Sequence, residues 1–278
     1  MPGPRGGGGG GETDADASTF DPKSIPDLAL WLDAEKGLAN QENVTNWTDQ
    51  ISQANARGDQ SFDGGTCVPP KRVPNEIKGQ SVVRFDGTSS CLVLGDTFFQ
   101  SFRDFSKGFS LFVVTKAKAS DKREAVIALH PRQRVINESI RLMRQDQGGG
   151  VSVRSPEGVE IGTSTNAAAF ADGQVHALAV VSAAGDAGAG GFTPTGSVKL
   201  FVDGNAVAAV GGTSGLVPTT TTRSFSMIGR FIFGGGEPTA ASPGYFTGDI
   251  AEIMVFRRAL DVSERQQIDT YLRERWLP

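Results

Sequence analysis

At 278 residues the chain is long enough to bury roughly 70–75% of its unfolded surface, so it needs neither a metal nor a disulfide to fold. Its 27 Lys and Arg against 31 Asp and Glu leave a formal net charge of −4, without the basic stripe of a nucleic-acid-binding domain. No run of about 18 apolar residues offers a membrane span, and the 36 glycines with short apolar runs set between Gly, Asn, Asp and Pro read as all-β.

Residues 1–24 read as a flexible arm. Gly6 to Gly11 is an unbroken glycine run and Glu12 to Asp16 is acidic and polar, too little apolar surface to offset the entropy of ordering. The expected role of the arm is attachment to a protein assembly. The opening Met1-Pro-Gly-Pro-Arg-Gly lacks the apolar core of a signal peptide, so synthesis in the cytoplasm is expected, with a final site on a virion surface or at the cell exterior.

Residues 25–278 read as one domain. Leu28, Leu30 and Leu32 alternate with Ala29 and Trp31 to give a first strand entered through Pro26. The polar stretch from Glu35 to Gly79 reads as a long surface connection that carries specificity. Ser81 to Asp86 is a strand that runs into an Asp86-Gly87 turn, with Cys91 to Leu94 returning as its hairpin partner. Further strands are expected at 109–116, 125–129, 139–143, 151–154, 158–161, 175–181, 198–202, 206–210 and 224–229, with Asp203-Gly204 as a tight turn. Residues 183–196 and 211–222, rich in Gly, Ala and Thr, read as rim loops. About a dozen strands in one unit imply two packed sheets or a jelly roll.

The chain closes on a strand over Ile250 to Phe256, apolar on both alternating sets, as suits a strand covered on two faces. A short helix follows. Asp261 and Glu264 form a capping box, and Val262, Ile268, Leu272 and Trp276 make an apolar stripe.

Candidate chemistry is sparse. Trp47, Asp49 and Asp63, within the polar stretch, are the candidate ligand-binding set, with Trp47 able to stack on a sugar ring or to fill the core. Asp86, Asp203 and Asp249 lie beside glycines in turns of the kind that supply calcium oxygens, although Asp-Gly is also ordinary hairpin chemistry. Calcium is thus the one cofactor the residues suggest, and none is required. Asp249 and Glu252 are the nearest pair to a hydrolytic carboxylate couple, but three residues apart on a regular strand they face opposite sides. The expected role of Glu252 is pairing with Arg84 or Arg257, and that of Asp249 is to hold a turn. His130 and His176 stand outside any metal-ligand cluster, so neither zinc nor a Ser-His-Asp triad is expected. Cys67 and Cys91 are read as two separate thiols, with a disulfide between them as the alternative.

Leu-Trp-Leu-Asp-Ala at 30–34, Val-Val-Arg-Phe-Asp-Gly at 82–87, Phe-Ser-Leu-Phe-Val-Val-Thr-Lys at 109–116, Leu-Phe-Val-Asp-Gly at 200–204 and Phe-Thr-Gly-Asp-Ile-Ala-Glu-Ile-Met-Val-Phe at 246–256 resemble the concanavalin A-like, laminin-G-like jelly-roll domains. That resemblance implies a two-sheet antiparallel jelly-roll sandwich with the first and last strands side by side. Its members bind glycans, proteins or lipids, often with calcium, and some cleave polysaccharides. The jelly-roll glucanases use Glu-x-Asp-x-Glu on one strand, and this chain has no such triplet, so it is expected not to be an enzyme. The leading expectation is a non-catalytic binding and display module tethered by its arm, such as a capsid decoration or fibre protein with glycan or cell-surface recognition. A free lectin or adhesin, and a divergent polysaccharide hydrolase or lyase, are the alternatives. A glycan ligand and a homo-oligomer are the remaining partners in view; nucleic acid is not.

Overall fold

The computed structural model describes residues 20–52, 55–62, 65–95, 107–118, 124–131, 140–144, 151–154, 160–163, 172–182, 186–188, 191–193, 198–207, 224–230 and 244–278. The arm up to residue 19, most of the 183–196 loop and all of the 211–222 loop lie outside them.

The strands in chain order are β1 (Leu28–Asp33), β2 (Asn46–Thr48), β3 (Asn55–Arg57), β4 (Ser61–Phe62), β5 (Gly65–Thr66), β6 (Lys71–Ile77), β7 (Gln80–Asp86), β8 (Leu92–Leu94), β9 (Phe109–Lys118) and β10 (Glu124–Pro131). They continue with β11 (Ile140–Arg144), β12 (Val151–Arg154), β13 (Glu160–Thr163), β14 (Asp172–Ser182), β15 (Asp186–Gly188), β16 (Gly191–Thr193), β17 (Val198–Val202), β18 (Asn205–Val207), β19 (Ser224–Ile228) and β20 (Thr247–Phe256). One helix, α1 (Val262–Trp276), ends the fold. No helix among the described residues is long and apolar enough to cross a membrane.

Two antiparallel eight-stranded sheets form the sandwich. The first runs β18-β17-β14-β9-β20-β7-β6 with β1 also paired to β20, and the second runs β13-β12-β11-β10-β19-β8-β3-β2. As the resemblance implied, β1 lies beside β20: Leu28 to Asp33 pair with Phe256 to Glu252. The N-terminal half of β20 pairs instead with β7, so β1 and β7 share one edge of the last strand.

Both faces of β20 are buried, for two different reasons. Ile250, Ile253 and Val255 join Leu30, Val83, Val113, Ile127 and Ile228 in the core between the sheets. Ala251, Met254 and Phe256 join Trp31, Phe112 and Val114 beneath Ile268, Leu272 and Trp276 of α1. The two-sided apolar pattern of this strand follows from that, since each fully buried large side chain contributes roughly 1.5–3 kcal/mol. The helix begins where the capping box places it: Asp261 accepts from the Glu264 amide and Glu264 from the Asp261 amide. Val262, expected in the apolar stripe, is instead 65% exposed.

Four expectations need correction. The 35–79 stretch is not a plain surface connection, because β2 to β6 lie within it, and β2 and β3 extend the second sheet. Part of the expected 183–196 loop, β15 with β16, is a small hairpin. Strand β8 does not return beside β7. After the Asp86-Gly87 turn it crosses to the second sheet and pairs with β19 and β3. Finally, Cys67 and Cys91 form a disulfide, their Cα atoms 5.0 Å apart. The Cys91 amide donates to the Val68 carbonyl, and this contact between segments far apart in sequence brings the thiols together.

The last residues of the expected arm are part of the domain. Asp21 caps a 3-10 turn over Pro22–Ser24, Pro22 is buried, and Phe20 packs on the apolar layer under α1.

Candidate functional site

The six residues Leu28 to Asp33 set the site. On β1, Leu30 and Leu32 point between the sheets while Trp31 and Asp33 point the other way, toward α1. The Trp31 amide donates to Asp49 Oδ1 at 2.8 Å, and its carbonyl accepts from the Gln50 amide at 2.8 Å, which draws the 49–50 segment alongside. From the other end of the chain, α1 supplies Tyr271 and Arg275, one turn apart on one helix face, and Trp276 next to Arg275.

These groups converge on Glu252, which is 1% exposed. Its Oε1 accepts from Trp31 Nε1 at 2.6 Å and from the Tyr271 hydroxyl at 3.1 Å; its Oε2 accepts from Trp276 Nε1 at 2.5 Å and Arg275 at 3.2 Å. Arg275 also grips Asp33 with two bonds of 2.8 and 2.9 Å and donates to the Tyr271 hydroxyl. Burial raises the Glu252 carboxyl to about 7, with the Asp33 charge adding to the rise and Arg275 and the indole donors opposing it. Burial would lower Arg275, but the hydrogen bonds to Asp33 and the Glu252 charge outweigh it and hold the guanidinium firmly protonated.

A β-bulge makes this hub. The register of β20 against β9 shifts between Ile250 and Glu252, so Ala251 and Glu252 both face the helix before Ile253 turns inward again. Asp249 pairs directly with Arg84 and shares its face, which is also the face of Val82 under α1. Asp249 and Glu252 therefore lie on the same side of the sheet, contrary to the regular-strand expectation. Their partners also differ from the expected ones: Arg84, expected on Glu252, gives two bonds of 2.7 and 2.8 Å to Asp249, and Glu252 pairs with Arg275.

In front of the hub lies a half-open cleft of about 200 Å³. Phe20, Trp31 and Tyr271 give it aromatic walls, and Asp21, Pro22, Lys23, Lys36 and Gln50 line the rest. Phe20 and Tyr271 meet with ring centres 5.9 Å apart. Two ammonium groups sit over the Trp31 indole, Lys36 at 4.7 Å and Lys23 at 5.6 Å from its centre.

The residues singled out in the sequence lie elsewhere. Trp47 is fully buried between the sheets, closed to any sugar. Asp49 is also fully buried, and its carboxylate accepts from the amides of Trp31, Ile51 and Ser52, so it shapes the cleft without lining it. Asp63 lies outside the described residues. Asp86 accepts from the amides of Thr88, Ser89 and Ser90 and from two serine hydroxyls. Burial would raise its carboxyl, but these donors hold it well below the usual range.

Asp203, in a two-residue turn with Gly204 where both have positive φ, accepts from the Ala177 amide and bonds His176 Nδ1 at 2.7 Å. The other ring nitrogen of His176 meets Asp172 at 3.1 Å. The structure thus does not bring Asp86, Asp203 and Asp249 together. No group of three or more His, Cys, Asp or Glu side chains among the described residues could hold a metal ion.

The cleft residues were missed because they come from three distant segments. Only the placement of Trp31 and Asp33 on one strand face, and of Tyr271 and Arg275 on one helix face, was available as a signal.

A family model described as the concanavalin A-like lectin/glucanases superfamily, of laminin G type, matches residues 86–264. No curated protein matches the chain by sequence. Among solved structures, a Trypanosoma rangeli sialidase bound to 2,3-difluorosialic acid is similar with a TM-score of 0.55 and 12% identity, over 91% of this chain and 34% of that one. The chain thus spans about a third of the length of the sialidases it matches. Domain 4 of a Geobacillus stearothermophilus arabinanase, in complex with arabinotriose, has a TM-score of 0.51 and 16% identity over 85% of this chain and 95% of that one. The binding domain of Paraclostridial Mosquitocidal Protein 1 has a TM-score of 0.54 and 11% identity over 91% and 53%.

Proposed function

Because the chain belongs to the concanavalin A-like lectin/glucanases superfamily, we propose that it is a non-catalytic carbohydrate-binding and display module, holding a sugar in the cleft between β1, the 20–24 turn and α1. The observation that carries this reading is the cleft itself. Phe20 and Tyr271, both part-exposed, offer ring surface to the C–H face of a sugar, with the buried Trp31 behind them, and amide, carboxylate and ammonium groups stand at the rim for its hydroxyls. The volume of about 200 Å³ suits a single ring, such as the end of a glycan chain. The similar arabinanase domain, whose structure holds arabinotriose and which this chain covers almost end to end, supports the same ligand class.

The state of two carboxylates supports the reading of binding without cleavage. A glycosidase needs one acid and one base or nucleophile open to the bond. Here Glu252 is shut behind Trp31 with four donors on it, and Asp249 is held by Arg84.

In this reading the first 19 residues tether the module to a protein assembly at a virus-particle surface or cell exterior. The cleft then faces the partner beside the base of the tether, because Phe20 to Lys23 form its wall.

The test is a glycan array probed with the full chain, in parallel with Phe20→Ala. Binding that weakens at least about tenfold in Phe20→Ala, with an unchanged unfolding midpoint and no new reducing ends released, is the expected result. Deleting Met1 to Thr19 should leave sugar binding intact while abolishing co-sedimentation with the assembly. A blank array, with and without calcium, would refute the carbohydrate reading, and co-sedimentation of the truncated chain would refute the tether.

A further inference from the structure

The polar groups around the cleft divide sharply by what already engages them. Asp33 is fully buried and is taken up by two bonds from Arg275. Glu252 carries four donors, and Asp21 accepts from the Lys23 amide as the cap of its turn. Each carboxylate near the cleft is therefore already hydrogen-bonded within the chain. The two ammonium groups are not. Lys23 has only the Trp31 ring as a contact among the described residues, and Lys36 adds an ion pair of 3.6 Å to Asp33, whose charge Arg275 already compensates. Lys36 keeps 52% of its side chain exposed, so its donors are free to turn toward a ligand. An ammonium presents three donors and no acceptor, and two of them over the buried Trp31 ring make a donor-rich, cationic mouth.

We infer that the cleft selects a sugar ring bearing an anionic group, the ring lying against Phe20 and Tyr271 and the anion between Lys23 and Lys36. This inference rests on the carbohydrate reading of the same cleft. A carboxylate on the ring and a sulfate ester present the same chemistry to the two lysines, oxygens that accept charge-assisted hydrogen bonds. A neutral hydroxyl in that place gains less, because each hydrogen bond from an ammonium to an anion exceeds one to a neutral acceptor. The volume of about 200 Å³ accommodates one such ring.

The test is calorimetric titration of the full chain with galactose, glucuronic acid, N-acetylneuraminic acid, galactose 6-sulfate and inorganic sulfate. At least one charged sugar should bind at least about tenfold more tightly than galactose, with an affinity that falls as salt rises. Which of the carboxylate and sulfate sugars binds identifies the anion. Lys36→Gln and Lys23→Gln should each remove most of that preference and flatten the salt dependence with the unfolding midpoint unchanged, and Lys36→Arg should retain both.

Equal binding of neutral and charged sugars, indifferent to both lysines, would overturn the anion preference while the carbohydrate reading stands. Inorganic sulfate binding as tightly as the sugars would overturn the assignment of the rings as a sugar platform. No binding by any sugar, here and on the array, would overturn both readings together.

Discussion

His176 shows how a single side chain of the first sheet becomes a pH-sensitive tie. It lies on β14 between Asp203 on one ring nitrogen and Asp172 on the other, and the hydrogen bond to Asp203 raises it above its ordinary 6.5 against the opposing effect of burial. A histidine whose folded value is raised contributes stability that is present in full below 6.5 and disappears as the pH climbs through the folded value. Glu252 acts in the same direction over a lower window. Its carboxyl, raised from 4.5 to about 7, contributes stability below 4.5 that is lost by about pH 7. Replacing His176 by Phe keeps a ring at the site and removes the titration. Urea midpoints of the parent chain should fall as the pH rises from 6.5, and those of His176→Phe should fall less over the same range, retaining only the Glu252 share. Parallel curves for the two proteins would show that the ring contributes nothing through its charge. The sequence located His176 in a strand, but neither aspartate could be assigned to it, since Asp203 reaches it from the next hairpin.

At the scale of elements, α1 and the β20 bulge depend on each other. The bulge turns Glu252 toward the helix, and the helix returns Trp276, Arg275 and Tyr271 to it. Trp276 is fully buried and its indole N–H reaches the same carboxylate as that of Trp31, so truncating it leaves a cavity and removes one donor from a buried acid. Trp276→Ala should cost about 3–5 kcal/mol. Asp261→Ala, which removes only the helix cap, should cost about 1 kcal/mol. Equilibrium urea unfolding compares them directly, and similar losses would mean that the helix is not clamped through its last turn. The helix, its start and its cap were all legible, because capping and apolar spacing are local. The bulge was not, because nothing in Asp249 to Ile253 distinguishes a regular alternation from one with a residue inserted.

At the scale of the molecule, the sandwich is joined by contacts between segments far apart in the chain. The disulfide is one of them: Cys67 and Cys91, 24 residues apart, stand against Met227 on the outer side of the second sheet, after the chain has crossed from β7 to β8. Closing a loop of that length stabilises by about 3 kcal/mol in the chain-entropy account. The double variant Cys67→Ala with Cys91→Ala should unfold more easily by about that amount and keep its sugar binding, because the cleft lies on the opposite sheet. Loss of binding without loss of stability would place the cleft and the disulfide in one unit. The crossing itself escaped the sequence because an Asp-Gly turn is compatible with either a hairpin or a change of sheet.

What the sequence determined by itself was everything that local chemistry carries: the all-β composition, most strands from β7 onward, the Asp203-Gly204 turn, the capped helix, and a last strand covered on both faces. The motifs quoted from five segments also carried the family and the neighbouring of β1 and β20. The tertiary structure decided which carboxylates are engaged and which ammonium groups are left open. Trp47 and Trp31 show the difference most plainly. Both sit in strands with polar residues close by, yet one fills the space between the sheets and the other floors a cleft. The physical reason is that each ring's surroundings come from segments distant in the chain. The walls around Trp31 are supplied by Phe20 and Lys23 before it and by Tyr271 some 240 residues after it.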